Sequence, residues 1–469
     1  MKRHGTAVKD IYLYGAPASG KTTLGGRLAK ALGRKFVDLD ALIVEREGRE
    51  IPQMFKEDGE AAFRRAERAA LESVAAAEAG AVVALGGGTL LDASSRETCE
   101  RSGSVFCMET PSQEEIARRM GAAPGTRPLG DKSAERAKHY ASFKSRVETS
   151  FEAGESLVVV GTGIARGLMD ERRIVADENV ARLFDLPSPI AIVPSGERHK
   201  TLETVSGLWA AFARAGIGRG DTVTAVGGGV TLDLAGFAAA TWMRGVAWVD
   251  FPTTLLSMVD ASTGGKTGFD LPEGKNLVGA FHPPRLVVVD TDFLRTLPAE
   301  AIAEGRAEMV KHEVIGALAR TPGGAAALPT AREIAQSLSV KAEIVTSDPF
   351  ERTGRRILLN CGHTVAHAVE RLTGYSVSHG MAVAIGCVEE ARLAVRMGLA
   401  PETWPDELAS RFREFGLKTE LPDGLSFEKM ADSMRGDKKR SGDVVTFALP
   451  CGWGDVRKVP IDLSRKGER

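Results

Sequence analysis

A strand followed by a glycine-rich loop and a helix is the feature that most constrains the fold of this 469-residue chain. The apolar run 11–14 leads into Gly15-Ala-Pro-Ala-Ser-Gly20-Lys21-Thr22, and apolar side chains then recur at helical spacing. In a GxxxxGKT loop the backbone N–H groups surround phosphates at a helix N-terminus, the lysine reaches the β- and γ-phosphates, and the threonine hydroxyl coordinates Mg²⁺. The sequence therefore predicts a phosphate-binding loop on a parallel α/β sheet.

Three more patterns follow this loop. The segment KFVDLD is predicted to be a second strand, in which alternation places Asp38 and Asp40 on one side. One carboxylate could hold Mg²⁺ while the other accepts a proton from an acceptor hydroxyl; a solvated strand end is the alternative. A helix carrying FRRAE comes next, and the strand AVVAL ends in the three glycines 86–88, which let a small ligand approach the main chain.

Together GxxxxGKT, D-x-D, FRxxE and GGG resemble shikimate kinase over nearly all of residues 1–155. The resemblance implies that ATP is bound by Gly15, Gly20, Lys21, Thr22 and Thr23. It implies Mg²⁺ at Thr22 and Asp38, and catalysis by Lys21, Asp40 and Arg127, the last in a mobile lid at 125–129. It also implies that shikimate contacts Asp40, Arg64, Gly87 and Arg146, with Glu67 orienting Arg64.

The first part departs from that family in two places. The R-x-P-x-Y pattern is missing around Arg146, for which an exposed helix charge is the alternative. The closing helix of the kinase fold is also missing, because the next unit begins at Ser156. Another small P-loop kinase, such as gluconate kinase, is the alternative family for this part.

The second part opens with alternating strands and helices and a GGG turn at 227–229, which is the arrangement that binds a dinucleotide. The tract 260–276 is rich in glycine and carries two lysines, an acid and an amide. It predicts a loop that surrounds an anion. Further on, the helix GRAEMVKH places Glu308 and Lys311 on one turn.

Three of the eight histidines lie between Asn360 and His379. His363 and His367 stand four apart, so a helix puts them on one face, and Asn360 is predicted one turn earlier on that face. Imidazoles beside a carboxylate are suitable zinc ligands, and a catalytic site needs only three protein ligands. A helical core face with buried, hydrogen-bonded histidines is the alternative.

The motifs VDASTGGKTG, GKN, AEMVK and NCGHTVAHA…HG are very similar to those of 3-dehydroquinate synthase, from about residue 160 to the end. The resemblance implies Zn²⁺, or Co²⁺, on Glu308, His363 and His379. It implies a phosphorylated sugar acid among Lys266, Asn276, Lys311, Lys341, Arg356, Asn360, His367 and, from a neighbouring subunit, Arg244. Of these, the catalytic set is Lys266, Lys311, Arg356, Asn360 and His367.

The same resemblance implies catalytic NAD⁺ that takes and then returns a hydride, so that phosphate is eliminated from 3-deoxy-arabino-heptulosonate 7-phosphate and the carbon ring of 3-dehydroquinate closes. The NAD⁺ residues would be Asp177, Asn179, Glu197, Lys200, Gly227, Gly228, Gly229, Asp233, Thr253, Thr254, Asp260 and Lys275.

Three departures bear on this part. Leu232 stands where the family has glycine, Met381 where it has glutamate, and His312 where it has tyrosine. Two alternatives remain open: a related cyclase that makes an inosose or valiolone, or a degenerate synthase-like scaffold. The run Asp437-Lys438-Lys439 matches the family's DKK, or is a solvated charge run.

Composition limits the partners. The net charge is −1, the five cysteines are scattered, and no apolar run has the length of a membrane span. We therefore expect a cytoplasmic enzyme with small-molecule substrates, no nucleic acid or membrane partner, and a homodimer formed through the synthase part. The expected α/β domains are a P-loop kinase domain (1–155), a Rossmann-like NAD-binding domain (156–295) and a mainly helical zinc-binding domain (296–469).

Overall fold

A computed structural model describes residues 8–77, 80–111, 133–186, 188–320, 324, 327–435 and 444–464. The chain forms two compact units, the first from 1–151, 157–170 and 288–290, the second from 152–156, 171–287 and 291–469. The predicted boundaries at 155/156 and 295/296 stay predictions. In the part of the chain that the structure describes, no helix is long and apolar enough to cross a membrane.

The first unit is a mainly parallel sheet flanked by helices. Its elements are β1 (Asp10–Tyr14), α1 (Lys21–Leu32), β2 (Phe36–Asp38), α2 (Leu39–Glu47), α3 (Ile51–Ala76), β3 (Val82–Ala84), α4 (Ala93–Ser102), β4 (Gly103–Met108), α5 (Ser133–Ala141), β5 (Arg146–Ala153), β6 (Ser156–Thr162) and α6 (Ala165–Leu168). The strand order is β2-β3-β1-β4-β5-β6. Ala84 is in register with both Leu13 and Asp38, so the segments that follow β1, β2 and β3 emerge at one edge, where open α/β sheets bind ligands.

Strand β2 is shorter than the sequence predicted. It ends at Asp38, whose carboxylate accepts a hydrogen bond from the Ala41 N–H and thereby caps α2. Asp40 therefore lies in the first turn of α2, and the prediction that strand alternation aligns Asp38 with Asp40 was wrong. Helix capping by a short acidic side chain took precedence over strand extension at this point.

The second unit begins with parallel strands and helices. Its elements are β7 (Ile174–Asp177), α7 (Glu178–Leu183), β8 (Ala191–Val193), α8 (Leu202–Ala215), β9 (Thr222–Gly227), α9 (Gly229–Thr241), β10 (Ala247–Pro252), β11 (Lys266–Leu271), β12 (Gly274–Phe281) and β13 (Leu286–Asp290), whose last three residues are counted with the first unit. The order of the parallel strands is β13-β10-β9-β7-β8. Strand β9 pairs in parallel with both β7 and β10, so the glycine turn after β9 lies at the carboxyl edge.

The glycine-rich tract 260–276 was predicted to be a loop, and that prediction was wrong. Residues 266–281 form the antiparallel hairpin of β11 and β12. Gly268 faces Gly279 in this pair, and a Cβ on Gly268 would lie 2.4 Å from the Val278 carbonyl oxygen. Glycine is present here because the two backbones approach closely, which the composition alone does not distinguish from a loop.

The rest of the second unit is mainly helical. Its elements are α10 (Ala299–Gly316), α11 (Ala331–Ser347), α12 (His363–Leu372), α13 (His379–Arg396), α14 (Trp404–Arg413), α15 (Phe427–Arg435), β14 (Val444–Gly452) and β15 (Asp455–Asp462). Helices α12 and α13 pack so closely that a Cβ on Gly386 would lie 2.0 Å from the Gly362 carbonyl oxygen. Asn360 ends a separate 3₁₀ helix, Arg355–Asn360, and Gly362 turns the chain with a φ of 76°. The prediction that Asn360 shares a helix with His363 was therefore wrong.

Candidate active sites of the two units

In the phosphate-binding loop of the first unit, the lysine side chain contacts the main chain of the loop itself. Lys21 donates hydrogen bonds to the carbonyl oxygens of Gly15 (2.9 Å) and Ala16 (2.7 Å). Gly15 and Gly20 have φ angles of 141° and 91°, which glycine adopts without strain. Burial lowers the pKa of Lys21 to about 8, against the opposing pull of the nearby aspartates. The loop therefore holds a partly desolvated cation at the start of α1.

The predicted magnesium ligands meet beside this loop. The Thr22 hydroxyl donates to the Asp38 carboxylate at 2.7 Å. A hydroxyl and a carboxylate oxygen are ligands that Mg²⁺ accepts when the remaining positions are taken by phosphate and water. Thr23, also predicted to bind ATP, is exposed in the first turn of α1.

The predicted acceptor-binding residues converge around the three glycines. A Cβ on Gly86 would lie 3.1 Å from Oδ1 of Asp40, and one on Gly88 would lie 2.7 Å from Nη2 of Arg64. Arg64 pairs with the buried Glu67 at 2.5 Å. Larger residues in this turn would fill the space between the arginine and the carboxylates, so the glycines leave room for a small polar molecule.

Arg146, the second substrate arginine predicted from the sequence, already has partners within the first unit. Arg146 opens β5, pairs with Glu109 at 2.6 Å and donates to the Tyr140 carbonyl oxygen at 3.0 Å. Arg136, on α5, lies within electrostatic reach of the Tyr14 and Tyr140 hydroxyls, and both hydroxyls donate to the Gly87 carbonyl oxygen. The buried Nε of Arg136 makes no hydrogen bond among the described residues.

Sequence reasoning missed Arg136 and Tyr140. The signal was present in Arg136-Ala-Lys-His-Tyr140, which has the R-x-x-x-Y spacing of the expected motif with lysine in place of proline. Arg127 and its lid, 125–129, lie outside the described residues.

A cavity of about 470 Å³ opens in the second unit beside the start of α9. Asp177 caps α7 by accepting hydrogen bonds from two backbone N–H groups, and the Ser195 hydroxyl lies 2.9 Å from its Oδ2. Ser195 was missed because a lone serine carries no pattern. The predicted dinucleotide residues in the wall are Asp177, Asn179, Gly228, Gly229, Thr253 and Thr254.

Two ion pairs hold most of the other predicted NAD⁺ residues. Lys200 is buried, 2.6 Å from Asp233, and it donates to the Asn276 side chain at 2.7 Å. Burial would lower the pKa of Lys200, but Asp233 and Glu197 outweigh it and raise that pKa. Lys275 lies 3.4 Å from Glu197. Gly227 ends β9 and accepts a backbone hydrogen bond from Thr253 at 2.9 Å.

The second unit also contains a cluster of metal-ligand type. Glu308 Oε1 lies 3.6 Å from Nε2 of His363 and 3.4 Å from Nε2 of His379. Glu308 is fully buried, and neither carboxylate oxygen makes a hydrogen bond of acceptable geometry among the described residues. Two imidazole nitrogens and one carboxylate oxygen are the donor set of a catalytic zinc site. The three residues therefore fit a divalent cation.

Two lysines border this cluster. Lys311 contacts Glu308 directly and donates to the Leu359 carbonyl oxygen at 3.0 Å. Lys341 is 2.6 Å from the Asp260 carboxylate. Burial would lower the pKa of Lys311, but Glu308 and Asp260 raise it above its usual value. The cluster is thus a compensated network of buried charges.

The remaining substrate residues are less concentrated. Arg356 is buried and donates to the carbonyl oxygens of Gly264 (3.0 Å) and Pro349 (2.7 Å). The ring of His367 lies 5.5 Å from that of His363, and Asn360 is partly exposed. Lys266 is 55% exposed and pairs with Glu351 at 2.5 Å, while Arg244 is exposed in a left-handed turn with a φ of 67°.

The structure gives each sequence departure a location. Leu232 lies on α9, where its side chain is buried in the apolar core and does not line the described cavity. The Met381 sulfur accepts a hydrogen bond from the Lys418 N–H at 3.0 Å. His312 is fully buried, 2.8 Å from the Ser337 hydroxyl, and burial lowers its pKa to about 3, so it is neutral.

His312, Asp260 and Glu308 form a second three-residue group of metal-ligand type. Glu308 belongs to both groups, and Asp260, the carboxylate that only the second group contains, is already paired with Lys341. A cation would therefore gain less there than at the histidine cluster.

Family models match most of the chain. The model described as shikimate kinase matches residues 17–165. The models described as 3-dehydroquinate synthase N-terminal and C-terminal match residues 190–304 and 305–440. These matches agree with the two resemblances drawn from the motifs.

Individual proteins agree with the family models. The 3-dehydroquinate synthase of Xanthomonas campestris pv. campestris (strain 8004) is 46% identical over 293 residues, covering 59% of this chain and 78% of that protein. A crystal structure of 2-deoxy-scyllo-inosose synthase with carbaglucose-6-phosphate, NAD⁺ and Co²⁺ is 25% identical, with a TM-score of 0.59 over 67% of this chain and 97% of that one.

A third relative is ValA, a 2-epi-5-epi-valiolone synthase from Streptomyces hygroscopicus subsp. jinggangensis 5008 with NAD⁺ and Zn²⁺ bound. It is 27% identical, with a TM-score of 0.53, covering 61% of this chain and 86% of that one. The chain is thus more similar in sequence to the synthase from Xanthomonas than to either of these cyclases.

Proposed function

We infer two activities from one premise: this chain belongs to the 3-dehydroquinate synthase family and carries a shikimate kinase domain ahead of the part that belongs to that family. It is a bifunctional enzyme of the shikimate pathway, a phosphotransferase and a carbon–oxygen lyase. The kinase domain phosphorylates the 3-hydroxyl of shikimate with ATP. The synthase part converts 3-deoxy-arabino-heptulosonate 7-phosphate into 3-dehydroquinate and releases phosphate.

For the kinase, the supporting observation is the convergence of the phosphate loop, Asp40 and Arg64 on one edge of the first unit's sheet. Lys21 can exchange its two carbonyl partners for the phosphates of ATP, while Thr22 and Asp38 hold Mg²⁺. Asp40 accepts the proton of the attacking hydroxyl. Arg64 binds the substrate carboxylate, with Glu67 fixing its side chain. We propose Arg136 as the second arginine.

For the synthase, the cluster of Glu308, His363 and His379 carries the proposal. Glu304 lines the dinucleotide cavity and lies one helical turn before Glu308 on α10. The helix that supplies a metal ligand therefore also reaches the proposed NAD⁺ site. This arrangement favours a catalytic enzyme over a scaffold, because a scaffold does not need a carboxylate and two histidines of zinc-ligand type clustered beside buried lysines.

When bound, Zn²⁺ or Co²⁺ supplies a Lewis acid and NAD⁺ supplies a hydride acceptor that is regenerated. The chain's own residues bind and orient the substrate. Lys311, Lys341 and Arg356 present cationic groups for the substrate's phosphate and carboxylate, and the two lysines are held meanwhile by carboxylates. His367 lies beside the His363 ring, where it can hydrogen-bond to the substrate.

We further propose a homodimer in which the exposed Arg244 reaches the neighbouring subunit's substrate. Mixing Arg244→Ala with an inactive His363→Ala variant tests this, because heterodimers would recover part of the activity if Arg244 acts across the interface. The five free, buried cysteines support a cytoplasmic location, since thiols persist in a reducing compartment.

The deciding experiment measures phosphate release from 3-deoxy-arabino-heptulosonate 7-phosphate with NAD⁺ and Zn²⁺, before and after chelation and in His363→Ala. Metal-dependent release with 3-dehydroquinate as product supports the proposal. No release from a folded, metal-loaded protein would overturn the lyase assignment. An ATP assay with shikimate tests the kinase separately.

A further inference from the structure

His379 is held between two carboxylates. Its Nε2 faces Oε1 of Glu308 at 3.4 Å, and its Nδ1 lies 3.3 Å from Oε1 of Glu370. The distance to Glu370 is at the long end of hydrogen-bonding range. The two ring nitrogens therefore have different carboxylate partners, one in the proposed metal cluster and one outside it.

Glu370 is well placed for this contact. It lies seven residues after His363 and three after His367, so the three side chains share one face of α12. Glu370 is buried, and its carbonyl oxygen accepts a hydrogen bond from the Tyr375 N–H at 2.7 Å. That bond fixes the turn that leads from α12 to His379 at the start of α13.

Met381 does not supply a carboxylate to this site. Its sulfur contacts the Lys418 N–H instead, although the family resemblance places a glutamate at this position. A ligating histidine generally donates its second ring N–H to a carboxylate or carbonyl oxygen, which fixes the tautomer and the ring orientation. His363 has such a partner in the Cys361 carbonyl oxygen, at 3.1 Å.

We propose that Glu370 is the positioning residue of His379: it accepts the Nδ1 proton, so that Nε2 is left unprotonated and directed towards a divalent cation beside Glu308. This inference rests on the proposed function of the cluster. A reciprocal contact supports it, because Glu390 of α13 accepts hydrogen bonds from the Gly362 and Val365 N–H groups, at 2.8 and 3.2 Å, where α12 begins. Each of these two helices thus places a carboxylate at the start of the other helix, where His363 or His379 lies.

The test compares Glu370→Gln with Glu389→Gln in the full-length protein. Glu389 is a buried carboxylate on α13 that pairs with Arg392, so its replacement is a matched control away from the histidines. Zn²⁺ affinity is measured by competition with a chromophoric chelator. We expect Glu370→Gln to weaken binding by about 10- to 100-fold, and Glu389→Gln to leave it unchanged.

Two further readouts separate positioning from a merely structural role. The downfield proton signal of a carboxylate-bonded imidazole N–H should be present in the zinc-loaded protein and lost in Glu370→Gln. Saturating Zn²⁺ should restore most of the lyase kcat. If Glu370→Gln does not fold, Glu370→Asp, which keeps the charge on a shorter side chain, should show a smaller loss of affinity.

The outcomes are distinguishable. If the wild-type protein binds Zn²⁺ and the Glu370 variants bind it equally well, the Glu370 inference is wrong and the proposed function stands. A folded wild-type protein that binds no divalent cation would overturn both.

Discussion

The buried lysines of the two units differ in the groups that contact their ammonium nitrogens. In the first unit, Lys21 has main-chain carbonyls and, at 3.5 Å, the Ser19 hydroxyl as its hydrogen-bond partners among the described residues. In the second unit, Lys200 and Lys341 each lie 2.6 Å from a carboxylate, and Lys311 contacts Glu308. Burial lowers the pKa of Lys21 to about 8 and also lowers the pKa of Lys341, whereas Asp233 and Glu308 raise the pKa values of Lys200 and Lys311 despite burial.

This difference affects how strongly each site binds an anionic ligand. A nucleotide brings several negative charges, so a lysine without a carboxylate partner gains fully from its arrival. In the second unit a phosphorylated substrate must exchange with carboxylates that already pair with the lysines. Such exchange weakens binding, which suits a site that has to release phosphate as a product.

The largest expected effect comes from breaking a compensated pair. Glu308→Gln removes the carboxylate that contacts the buried Lys311 directly, and it should lower the free energy of unfolding by about 3 kcal/mol in denaturant titrations. Glu313→Gln removes one of the two carboxylates that pair with the buried Arg411, so its effect should be smaller because Glu414 remains. Only Glu308→Gln should also abolish Zn²⁺ binding, and retained binding would contradict its role as a ligand.

Replacing Lys21, for which the described residues provide no ion pair, should act on catalysis. Lys21→Met should lower the kinase kcat by about 10²- to 10³-fold, because a charge that stabilises the transferring phosphoryl group is lost. Fold stability should change little, since no carboxylate is left unpaired. Lys30→Met, an exposed position on the same helix, is the control. An equal loss of lyase activity would argue against a local effect.

The two candidate arginines of the kinase site can be separated by shikimate kinetics. Arg136→Met should raise the KM for shikimate by about 10- to 100-fold, because a loss of that size corresponds to the free energy of one charge-assisted hydrogen bond. Arg146→Met should have a smaller effect, because Arg146 already pairs with Glu109. The reverse order would restore the original assignment to Arg146.

The smallest expected effect is on the pH dependence of ligand affinity, which should have opposite signs for ATP in the first unit and Zn²⁺ in the second. Below a pH of about 8 Lys21 is already protonated, so ATP affinity should be constant there; above it, binding must take up a proton and affinity should fall by up to about tenfold per pH unit. Metal binding to histidines displaces protons, so Zn²⁺ affinity should rise with pH. Calorimetry in buffers of different ionisation enthalpy measures both.

Local patterns predicted the parts of each site that lie within one segment. The phosphate loop, the α10 turn with Glu308 and Lys311, and the pair His363 and His367 all follow from spacing within a single helix or loop. Residues whose partners lie on other elements or turns were missed. Arg136, Glu370 and Ser195 were not identified, because their proposed roles depend on which side chain lies opposite.

Local sequence patterns were enough to predict a phosphate-binding loop and a dinucleotide-type sheet, because glycine conformations and helical spacing are local properties, while the metal-ligand set followed from the resemblance to a family. The hairpin at 266–281 and the contact between Glu370 and His379 became visible only in the folded chain. Those outcomes depend on burial and on pairing between separate elements. Burial and pairing are properties of the packed molecule, and no short stretch of sequence specifies them.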